Sequence, residues 1–196
     1  TQAVSQLMCG RPNTPAGGVD LVVVGGGPAG IAAGLFAQKK GLSVVVLEQD
    51  ESGGAVRSYP RAKIVMSRPF RLPGRSPLSG TLSKEQLIDE LSAAVAEAGL
   101  DLREGVRVDA VERQADGTFS VGTSDGPLAC ARVLLAVGRR GTPNKLGCGG
   151  EDSARVSYRL LEPEAYRHQH VLVVGGGDSA VEAAVSLADV EGARVT

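Results

Sequence analysis

A short apolar run that ends in a glycine turn constrains this chain more than any other feature of its sequence. Val22–Val24 are continuous, β-branched and apolar, so we expect a strand that is buried on both faces. A helix is predicted over Pro28–Gln38, because proline suits the first helical turn. Between strand and helix stand the glycines of a G-x-G-x-x-G pattern, namely Gly25, Gly27 and Gly30. Such a turn lets the backbone approach a pyrophosphate at the helix N-terminus, so the stretch predicts a dinucleotide site.

A second apolar strand and an acidic residue support that prediction. The strand Ser43–Leu47 is followed by Glu48, close to the spacing of about 20 residues that the motif requires. An acidic side chain there accepts hydrogen bonds from an adenosine ribose and repels a 2′-phosphate. The alternative is a purely structural one, in which the glycine-rich turn binds nothing and Glu48 is a solvated charge at the end of a strand. The chain contains 27 glycines, so the first motif alone does not exclude that alternative.

The same pattern returns near the end of the sequence. Val171–Ala180 repeats the opening stretch, and the two Val-Gly-Gly-Gly cores begin at Val24 and Val174. An alanine stands at the third small position of the second copy, which is formed by Gly175, Gly177 and Ala180. A helix is expected from Asp178 to about Leu187. Two fingerprints in one chain predict two bound dinucleotides.

Composition excludes several classes of protein. Lys and Arg total 21 against 22 Asp and Glu, and the net charge of −1 offers no surface typical of nucleic-acid or membrane binding. No stretch approaches the ~18 consecutive apolar residues of a membrane span. Cys9, Cys130 and Cys148 are far apart and odd in number, which argues against a disulfide framework. We expect a cytoplasmic protein with no metal site, in which Cys130 is a small buried hydrophobe.

The stretch after Glu48 carries few regular signals. Glycines and prolines interrupt Gln49–Pro77 repeatedly, and so long a loop is either disordered or wrapped around a ligand. Its mixture of apolar and basic side chains favours the wrapped alternative. Gly53 and Gly54 allow either a close backbone approach to a ligand or an ordinary turn.

The middle of the chain predicts a helix and then a set of antiparallel strands. Ser83 and Gln86 form a capping box, which opens a helix that ends at Gly99. Asp-Gly turns then separate three strands of a meander, Val106–Val111, Thr118–Val121 and Leu128–Val137. From Val133 to Val137 the last strand returns to the apolar pattern of a buried strand, so we expect it to rejoin the first sheet. Arg139–Pro143 is charged and then broken, and it is the candidate domain crossing.

Together these residues resemble the two-dinucleotide-domain flavoproteins, the superfamily of thioredoxin reductase, related ferredoxin–NADP reductases and bacillithiol disulfide reductases. The resemblance is carried by Val24–Gly30 with Glu48, by Leu134–Gly138 and by Val174–Glu182. It implies an α/β fold with a Rossmann-like FAD-binding domain at 19–140, which contains the inserted antiparallel meander and follows an irregular lead-in at 1–18. The first part of a second Rossmann-like, NAD(P)-binding domain is expected at 141–196.

The resemblance also implies which residues meet the cofactors. FAD is expected at the first fingerprint, with Glu48 on the adenosine ribose, Val108 near the adenine through its backbone and Gly53–Gly54 nearer the flavin. The implied FAD contacts are Gly25, Gly27, Pro28, Ala29, Gly30, Glu48, Gln49, Gly53, Gly54, Val108, Ala136 and Gly138. NADPH or NADH is expected at the second fingerprint, on Gly175, Gly177, Asp178, Ser179 and Ala180, with Glu182 near the nicotinamide. Asp178 has an equally supported alternative role as the N-cap of its helix.

Two departures from the family bear on function. The redox C-x-x-C of thioredoxin reductases lies just upstream of the second fingerprint, where this chain has Ser157–Pro163 without a cysteine. A dithiol relay through that segment is therefore excluded. The family also completes the second sheet and returns to the flavin with a Gly-Asp segment, and neither lies within the 196 residues. We expect the chain to correspond to roughly the N-terminal two-thirds of a family member.

The functional expectation is a flavin-dependent NAD(P)H oxidoreductase. Hydride would pass from nicotinamide C4 to flavin N5, and the electrons would go on to an iron–sulfur protein, a low-molecular-weight disulfide or dioxygen. A flavin monooxygenase is the first alternative, although a Baeyer–Villiger-type signature is absent. A non-catalytic nucleotide-binding or assembly module is the second, and a single-cofactor dehydrogenase leaves the repeat at Gly175 unexplained. No catalytic acid or base stands out; His168 and His170 are expected at the surface, and a homodimer is a family expectation.

Overall fold

The computed structural model describes residues 13–61, 63–66, 71–75, 80–138 and 145–196. The chain divides into two compact units, whose bounds along the whole sequence are Thr1–Arg57 with Val65–Arg140, and Ser58–Ile64 with Gly141–Thr196. The grouping of Ser58–Ile64 with the second unit was not predicted. Cys9, most of the lead-in and the predicted crossing at Arg139–Pro143 lie outside the described residues.

The first unit is built on a six-stranded sheet of order β5-β2-β1-β8-β7-β6. The strands of the first part of the chain are β1 (Val19–Val24), β2 (Val44–Leu47), β3 (Ile64–Met66), β4 (Thr81–Ser83), β5 (Asp101–Arg103), β6 (Val108–Arg113), β7 (Phe119–Thr123) and β8 (Leu128–Leu135). β1 pairs in parallel with β2 and β8, and β2 pairs in parallel with β5. All four residues of β2 are buried, as expected for a central parallel strand.

Two helices belong to this unit, α1 (Pro28–Lys39) and α2 (Lys84–Ala98). Gly34 lets α1 lie close to the sheet, because a Cβ there would stand 2.7 Å from the Val46 side chain. The predicted capping box of α2 is confirmed: the Gln86 N–H donates to Ser83 Oγ, and the Ser83 N–H donates to Gln86 Oε1. Gly99 ends α2 in the left-handed conformation, as predicted.

The antiparallel meander is also confirmed. β7 pairs antiparallel with both β6 and β8, and β8 then returns to lie parallel to β1. The turns between these strands use Gly117 and Gly126 at positive φ, which explains the Asp-Gly pairs. Cys130 is fully buried in β8, as expected of a small hydrophobe. β5 was missed because it has three residues and only its central Leu102 is shielded from solvent.

The second unit contains α3 (Asp178–Ala188) and two short parallel strands, β9 (His170–Val171) and β10 (Arg194–Val195). The predicted apolar strand toward Val174 is thus only two residues long. Leu172 and Val174 are 69% and 59% exposed, because among the described residues only β10 pairs with this stretch. His168 and His170 are exposed, as predicted.

Over the part of the chain that the structure describes, no helix is both long and apolar enough to cross a membrane. The same described residues hold no cluster of histidine, cysteine and carboxylate groups suited to a metal ion. The mixed α/β architecture, with its parallel core and inserted meander, confirms the predicted Rossmann-like fold class.

Candidate functional site

The first fingerprint turn is enclosed by three other parts of the first unit. Gly25 has a φ of 108°, and a Cβ on it would overlap the carbonyl group of Ala136. A Cβ on Gly26 would lie 2.8 Å from the Glu48 Cβ, and one on Gly30 would overlap the Gly25 carbonyl oxygen. A side chain at any of these three positions would therefore collide with a neighbouring group. The turn can approach a ligand only with its backbone.

The helix that follows presents its N-terminus without a side-chain cap. Gly27 is the N-cap residue of α1 and Pro28 the first helical residue. The first helical hydrogen bond runs from the Ile31 N–H to the Gly27 carbonyl oxygen, 2.9 Å away. The N–H groups of Ala29 and Gly30 consequently have no acceptor within the helix. Two such N–H groups at a positive dipole end are suited to a pyrophosphate.

Glu48 lies across this turn as a buried carboxylate. Its Oε2 accepts a hydrogen bond from the Gly26 N–H at 2.7 Å, and its Oε1 accepts one from the Asp50 N–H at 3.1 Å. The side chain belongs to a residue only 9% exposed, and hydrogen bonds of this kind are what a buried carboxylate needs. The Glu48 N–H donates to the Arg103 carbonyl oxygen in β5, and the Glu48 carbonyl oxygen accepts from the Val106 N–H beyond that strand. A carboxylate is thereby fixed beside the glycine turn, and its contact with a ribose stays a prediction.

Gly53 and Gly54 lie against the same turn. The Gly53 N–H donates to the Gly26 carbonyl oxygen at 2.9 Å. Gly54 has a φ of 56°, and a Cβ on it would stand 3.0 Å from the Gly27 Cα. The pair therefore packs closely on the fingerprint backbone, and its approach to a ligand stays a prediction beside the alternative of an ordinary turn.

The remaining predicted residues of the first site differ in how near they come to the turn. The Ala136 N–H donates to the Val24 carbonyl oxygen at 2.7 Å, which brings the end of β8 beside the fingerprint. Val108 is half-buried against the core cluster that contains Leu47 and Val106. Gln49 is exposed beyond Glu48, and Gly138 has open space around its Cα. Their contact with FAD stays a prediction, as does the whole list of cofactor-binding residues.

The second fingerprint forms a similar but more open turn. Gly177 is the N-cap of α3, with no side-chain cap, so the alternative role of Asp178 as N-cap is wrong; Asp178 is the first helical residue. Gly175 has a φ of 141°, and a Cβ on it would lie only 3.2 Å from the Ala180 Cβ, so a side chain at residue 175 would crowd the alanine at the third position. Ser179 follows in the first helical turn. Among the residues that the structure describes, none has an atom within 4 Å of a Cβ placed on Gly176 or on Gly177.

Glu182, predicted near the nicotinamide, forms an ion pair with a residue that sequence reasoning missed. Lys63 Nζ lies 2.5 Å from Glu182 Oε2, and the same ammonium lies 4.6 Å from the centre of the Tyr59 ring. The two partners are separated by 119 residues in the sequence, so no local pattern could have joined them. They line a groove of about 650 Å³ in the second unit.

The loop before Ser157–Pro163 is organised by a second buried carboxylate, Glu151. It accepts hydrogen bonds from the Tyr158 hydroxyl at 2.6 Å and from the N–H groups of Leu146 and Gly147 at 2.6 and 2.7 Å. The Tyr158 hydrogen bond, followed by those from the backbone, lowers the pKa of Glu151. The same hydrogen bond raises the pKa of Tyr158 to about 12. This loop is therefore held by a neutral phenol and an ionised carboxylate; its Cys148 is exposed and free.

Comparison with curated proteins gives ferredoxin–NADP reductases among the relatives. The chain is 30% identical over 173 residues to the ferredoxin–NADP reductase of Lacticaseibacillus paracasei, covering 86% of this chain and 50% of the relative. It is 32% identical over 178 residues to ferredoxin–NADP reductase 2 of Sulfolobus acidocaldarius, covering 87% and 51%. The chain thus spans about half the length of these curated relatives, rather than the two-thirds predicted.

Solved structures share the fold. The bacillithiol disulfide reductase Bdr (YpdA) from Bacillus cereus superposes with a TM-score of 0.82 at 26% identity, covering 90% of this chain and 57% of that one. A flavin-containing monooxygenase from Stenotrophomonas maltophilia superposes with a TM-score of 0.70 at 25% identity, covering 91% and 57%. A family model described as pyridine nucleotide-disulphide oxidoreductase matches residues 22–196, which include both fingerprints. The chain belongs to the pyridine nucleotide-disulphide oxidoreductase family.

Proposed function

We propose that this chain is part of an FAD-dependent NAD(P)H oxidoreductase. The observation that carries the proposal is the pairing of a buried Glu48 carboxylate with a glycine turn whose helix begins without a side-chain cap. An acceptor for ribose hydroxyls and donors for a pyrophosphate then lie side by side, which suits the adenosine half of a dinucleotide. The curated relatives are named ferredoxin–NADP reductases, which supports the same activity.

The residues of the first unit would divide the work of binding FAD. Glu48 would accept from the ribose, and the N–H groups of Ala29 and Gly30 would face the pyrophosphate. Gly53 and Gly54 would meet FAD beyond the turn through their backbone alone, which suits a flat ring system. FAD supplies the redox chemistry, since it can accept hydride and pass electrons on. The chain supplies binding and orientation.

The second fingerprint would hold the nicotinamide nucleotide. The open turn at Gly175–Gly177 and the uncapped start of α3 offer a further pyrophosphate site. The names of the curated relatives favour NADPH over NADH. Asp178 stands at the first helical position, where its carboxylate would have to face away from a pyrophosphate.

The electron acceptor is proposed to be a small iron–sulfur protein of the ferredoxin type. Ser157–Pro163 contains no cysteine, so a relay through a dithiol in this segment has no chemical basis. A low-molecular-weight disulfide is supported by the likeness to bacillithiol disulfide reductase, and oxygen insertion by the likeness to the monooxygenase. The free state of Cys130 and Cys148 agrees with a cytoplasmic setting. The homodimer stays a prediction from the resemblance.

The visible absorption spectrum under anaerobic conditions tests the proposal. The chain should take up FAD, become yellow and lose its flavin absorbance when NADPH is added, with NADH less effective. Reoxidation is then followed with ferredoxin, with a low-molecular-weight disulfide and with dioxygen. Fast reoxidation by ferredoxin supports the reductase, whereas fast reoxidation by dioxygen with an oxygenated product supports the monooxygenase. A chain that takes up no FAD, or whose FAD neither nucleotide bleaches, contradicts the proposal.

A further inference from the structure

We propose that Arg57 holds the turn at Gly53 and Gly54 against the first fingerprint and thereby slows the release of FAD. The inference rests on the proposed function, because it requires FAD beside that turn. Arg57 lies in a short 3₁₀ helix, Gly54–Ser58, which follows Gly53 directly. It would be a positioning residue, since it acts on FAD through the backbone of the turn.

One peptide unit of the turn, between Ser52 and Gly53, is held at both ends. Its carbonyl oxygen accepts a hydrogen bond from Arg57 Nε at 2.5 Å, and its N–H donates to the Gly26 carbonyl oxygen at 2.9 Å. Gly53 has a φ of 106° and a glycine on its C-terminal side, so this stretch of backbone has more accessible conformations than most. The two hydrogen bonds therefore select the conformation in which the turn packs on the fingerprint.

The residue before the turn is held by two charged side chains. The Ser52 N–H donates to Glu104 Oε1 at 2.6 Å. Hydrogen bonds from Ser52 are the largest cause that lowers the pKa of Glu104, and the charge of Arg57 acts in the same direction. Ser52 is thus bound through its N–H by an anion and through its carbonyl oxygen by a cation. Charge-assisted hydrogen bonds of this kind are roughly twice as strong as those between neutral groups.

Arg57 makes a second contact, which we expect to matter less. Its Nη1 lies 2.8 Å from Oε2 of Glu51, but the Glu51 side chain is 71% exposed, so solvent screens this ion pair. The hydrogen bond to Ser52 comes from Nε, on the inner side of the guanidinium. The stem of the side chain also lies over the turn, because a Cβ on Gly53 would stand 3.4 Å from Arg57 Cγ. The contact with Ser52 is therefore the one that holds the turn.

The release of FAD is the step that this contact should affect. In the proposed function the fingerprint and Glu48 bind the adenosine and the pyrophosphate, whereas Gly53 and Gly54 meet FAD beyond them. Without Arg57 the Ser52 carbonyl oxygen loses its donor, so the turn leaves the fingerprint more often and FAD loses that contact. ADP has no flavin to meet the turn. Loss of Arg57 should therefore act on FAD and leave ADP unaffected.

The test compares the release of FAD with the binding of ADP in R57M. The dissociation rate constant of FAD, followed by flavin fluorescence after dilution of the loaded chain, should rise roughly tenfold, the scale of a hydrogen bond to a charged group. The dissociation constant for ADP, measured by titration calorimetry, should stay within about twofold of wild type. R57K keeps a cation beside Glu51 but has no separate Nε donor, so it should release FAD roughly two- to fivefold faster.

Two further variants serve as controls. E51Q removes the partner of the ion pair but leaves the hydrogen bond from Arg57 Nε to Ser52, so FAD should dissociate at the wild-type rate. R113M removes an exposed arginine from β6 of the same unit, away from the turn, and should also behave as wild type.

The outcomes separate this inference from the proposed function. A wild-type chain that takes up no FAD contradicts both. When wild type binds FAD, release at the wild-type rate from R57M and R57K contradicts the inference alone. Equal weakening of ADP and FAD binding in R57M overturns it as well, because a merely structural role of Arg57 would affect both ligands. Release from E51Q as fast as from R57M has the same consequence, since the ion pair would then hold the turn.

Discussion

The Glu48 carboxylate accepts a hydrogen bond from the Gly26 N–H across 2.7 Å, and the Cβ of Glu48 fills the space that a side chain at residue 26 would need. Gly26, the residue between the first two fingerprint glycines, thus has to be a glycine because of Glu48, which follows β2. At the equivalent position of the second fingerprint, a Cβ on Gly176 would meet no described residue within 4 Å. The two copies of the motif therefore differ in what the glycine at this position does.

This difference predicts opposite outcomes for two matched substitutions. Gly26→Ala should lower the free energy of unfolding by about 1–3 kcal/mol and weaken FAD binding, because the new methyl group forces Glu48 away from the turn. Gly176→Ala should change stability by less than about 0.5 kcal/mol, as expected away from close contacts. Urea denaturation and FAD titration of both variants provide the check. Equal tolerance at the two positions would show that Glu48 does not pack on Gly26 in solution.

Glu48 itself is predicted to act on the affinity for FAD. Glu48→Gln retains one oxygen for the Gly26 N–H but places an NH2 group where the other oxygen accepts from the Asp50 N–H and would accept from a ribose hydroxyl, so the ribose loses its partner. A hydrogen bond to a charged group contributes about 1.5–3 kcal/mol, which corresponds to roughly a tenfold or larger rise in the FAD dissociation constant. Quenching of flavin fluorescence measures that constant. Glu112→Gln on the exposed strand β6 is the control, and an unchanged constant in Glu48→Gln would exclude the ribose role.

At the opposite end of the parallel strands, Asp20 and Ser43 fix the register of β1 and β2. The Asp20 carboxylate accepts from the Ser43 N–H at 2.8 Å and from its hydroxyl at 2.9 Å, and Ser43 Oγ accepts from the Asp20 N–H. Ser43→Ala should therefore lower the free energy of unfolding by about 1 kcal/mol. Ser120→Ala, in the meander, offers a comparison outside this pair. If Ser43→Ala leaves the urea midpoint unchanged, the pair contributes nothing to stability.

The Glu151–Tyr158 pair predicts a stability window in pH. The pKa of Glu151 is lowered from 4.5, so its contribution is present above pH 4.5 and is lost as the pH falls through the lower value in the folded chain. The pKa of Tyr158 is raised from 10.0 to about 12, so its contribution is present below pH 10.0 and is lost as the pH rises through about 12.

The difference in stability between wild type and Tyr158→Phe should accordingly be largest between these limits and shrink on both sides. In the absorbance difference between the two proteins, the lost tyrosine should titrate near pH 12. Titration near pH 10 would mean that the hydroxyl does not donate to Glu151 in solution.

Features that depend on neighbours in the sequence were predicted well. The fingerprint turns, the capping box of α2 and the Asp-Gly turns each need particular residues at fixed local spacing, and the structure contains all of them. The return of β8 to β1 was predicted from the apolar run Val133–Val137, and the pairing is confirmed, although Leu135 and Val137 are exposed rather than buried.

Features that depend on distant residues were not predicted. β5 has too few apolar residues to be seen as a strand, and it exists because β2 offers it an edge. The need for a glycine at residue 26 comes from the Glu48 side chain, whose position the local sequence does not give. Lys63 and Glu182 likewise come into contact only because the fold brings distant segments together. The prediction of Asp178 as the N-cap of α3 was wrong for a similar reason, since the residue that caps the helix depends on where the glycine turn ends.

In the proposed function one chain provides two separate dinucleotide sites, and equilibrium binding with both ligands tests for them most directly. FAD and 1,4,5,6-tetrahydro-NADP, a nicotinamide nucleotide analogue that donates no hydride, are each titrated alone and then in the presence of a saturating amount of the other. We predict one FAD and one nicotinamide nucleotide per chain, with neither displacing the other. Competition between the two ligands for a single site, or binding of only one of them, would contradict the account.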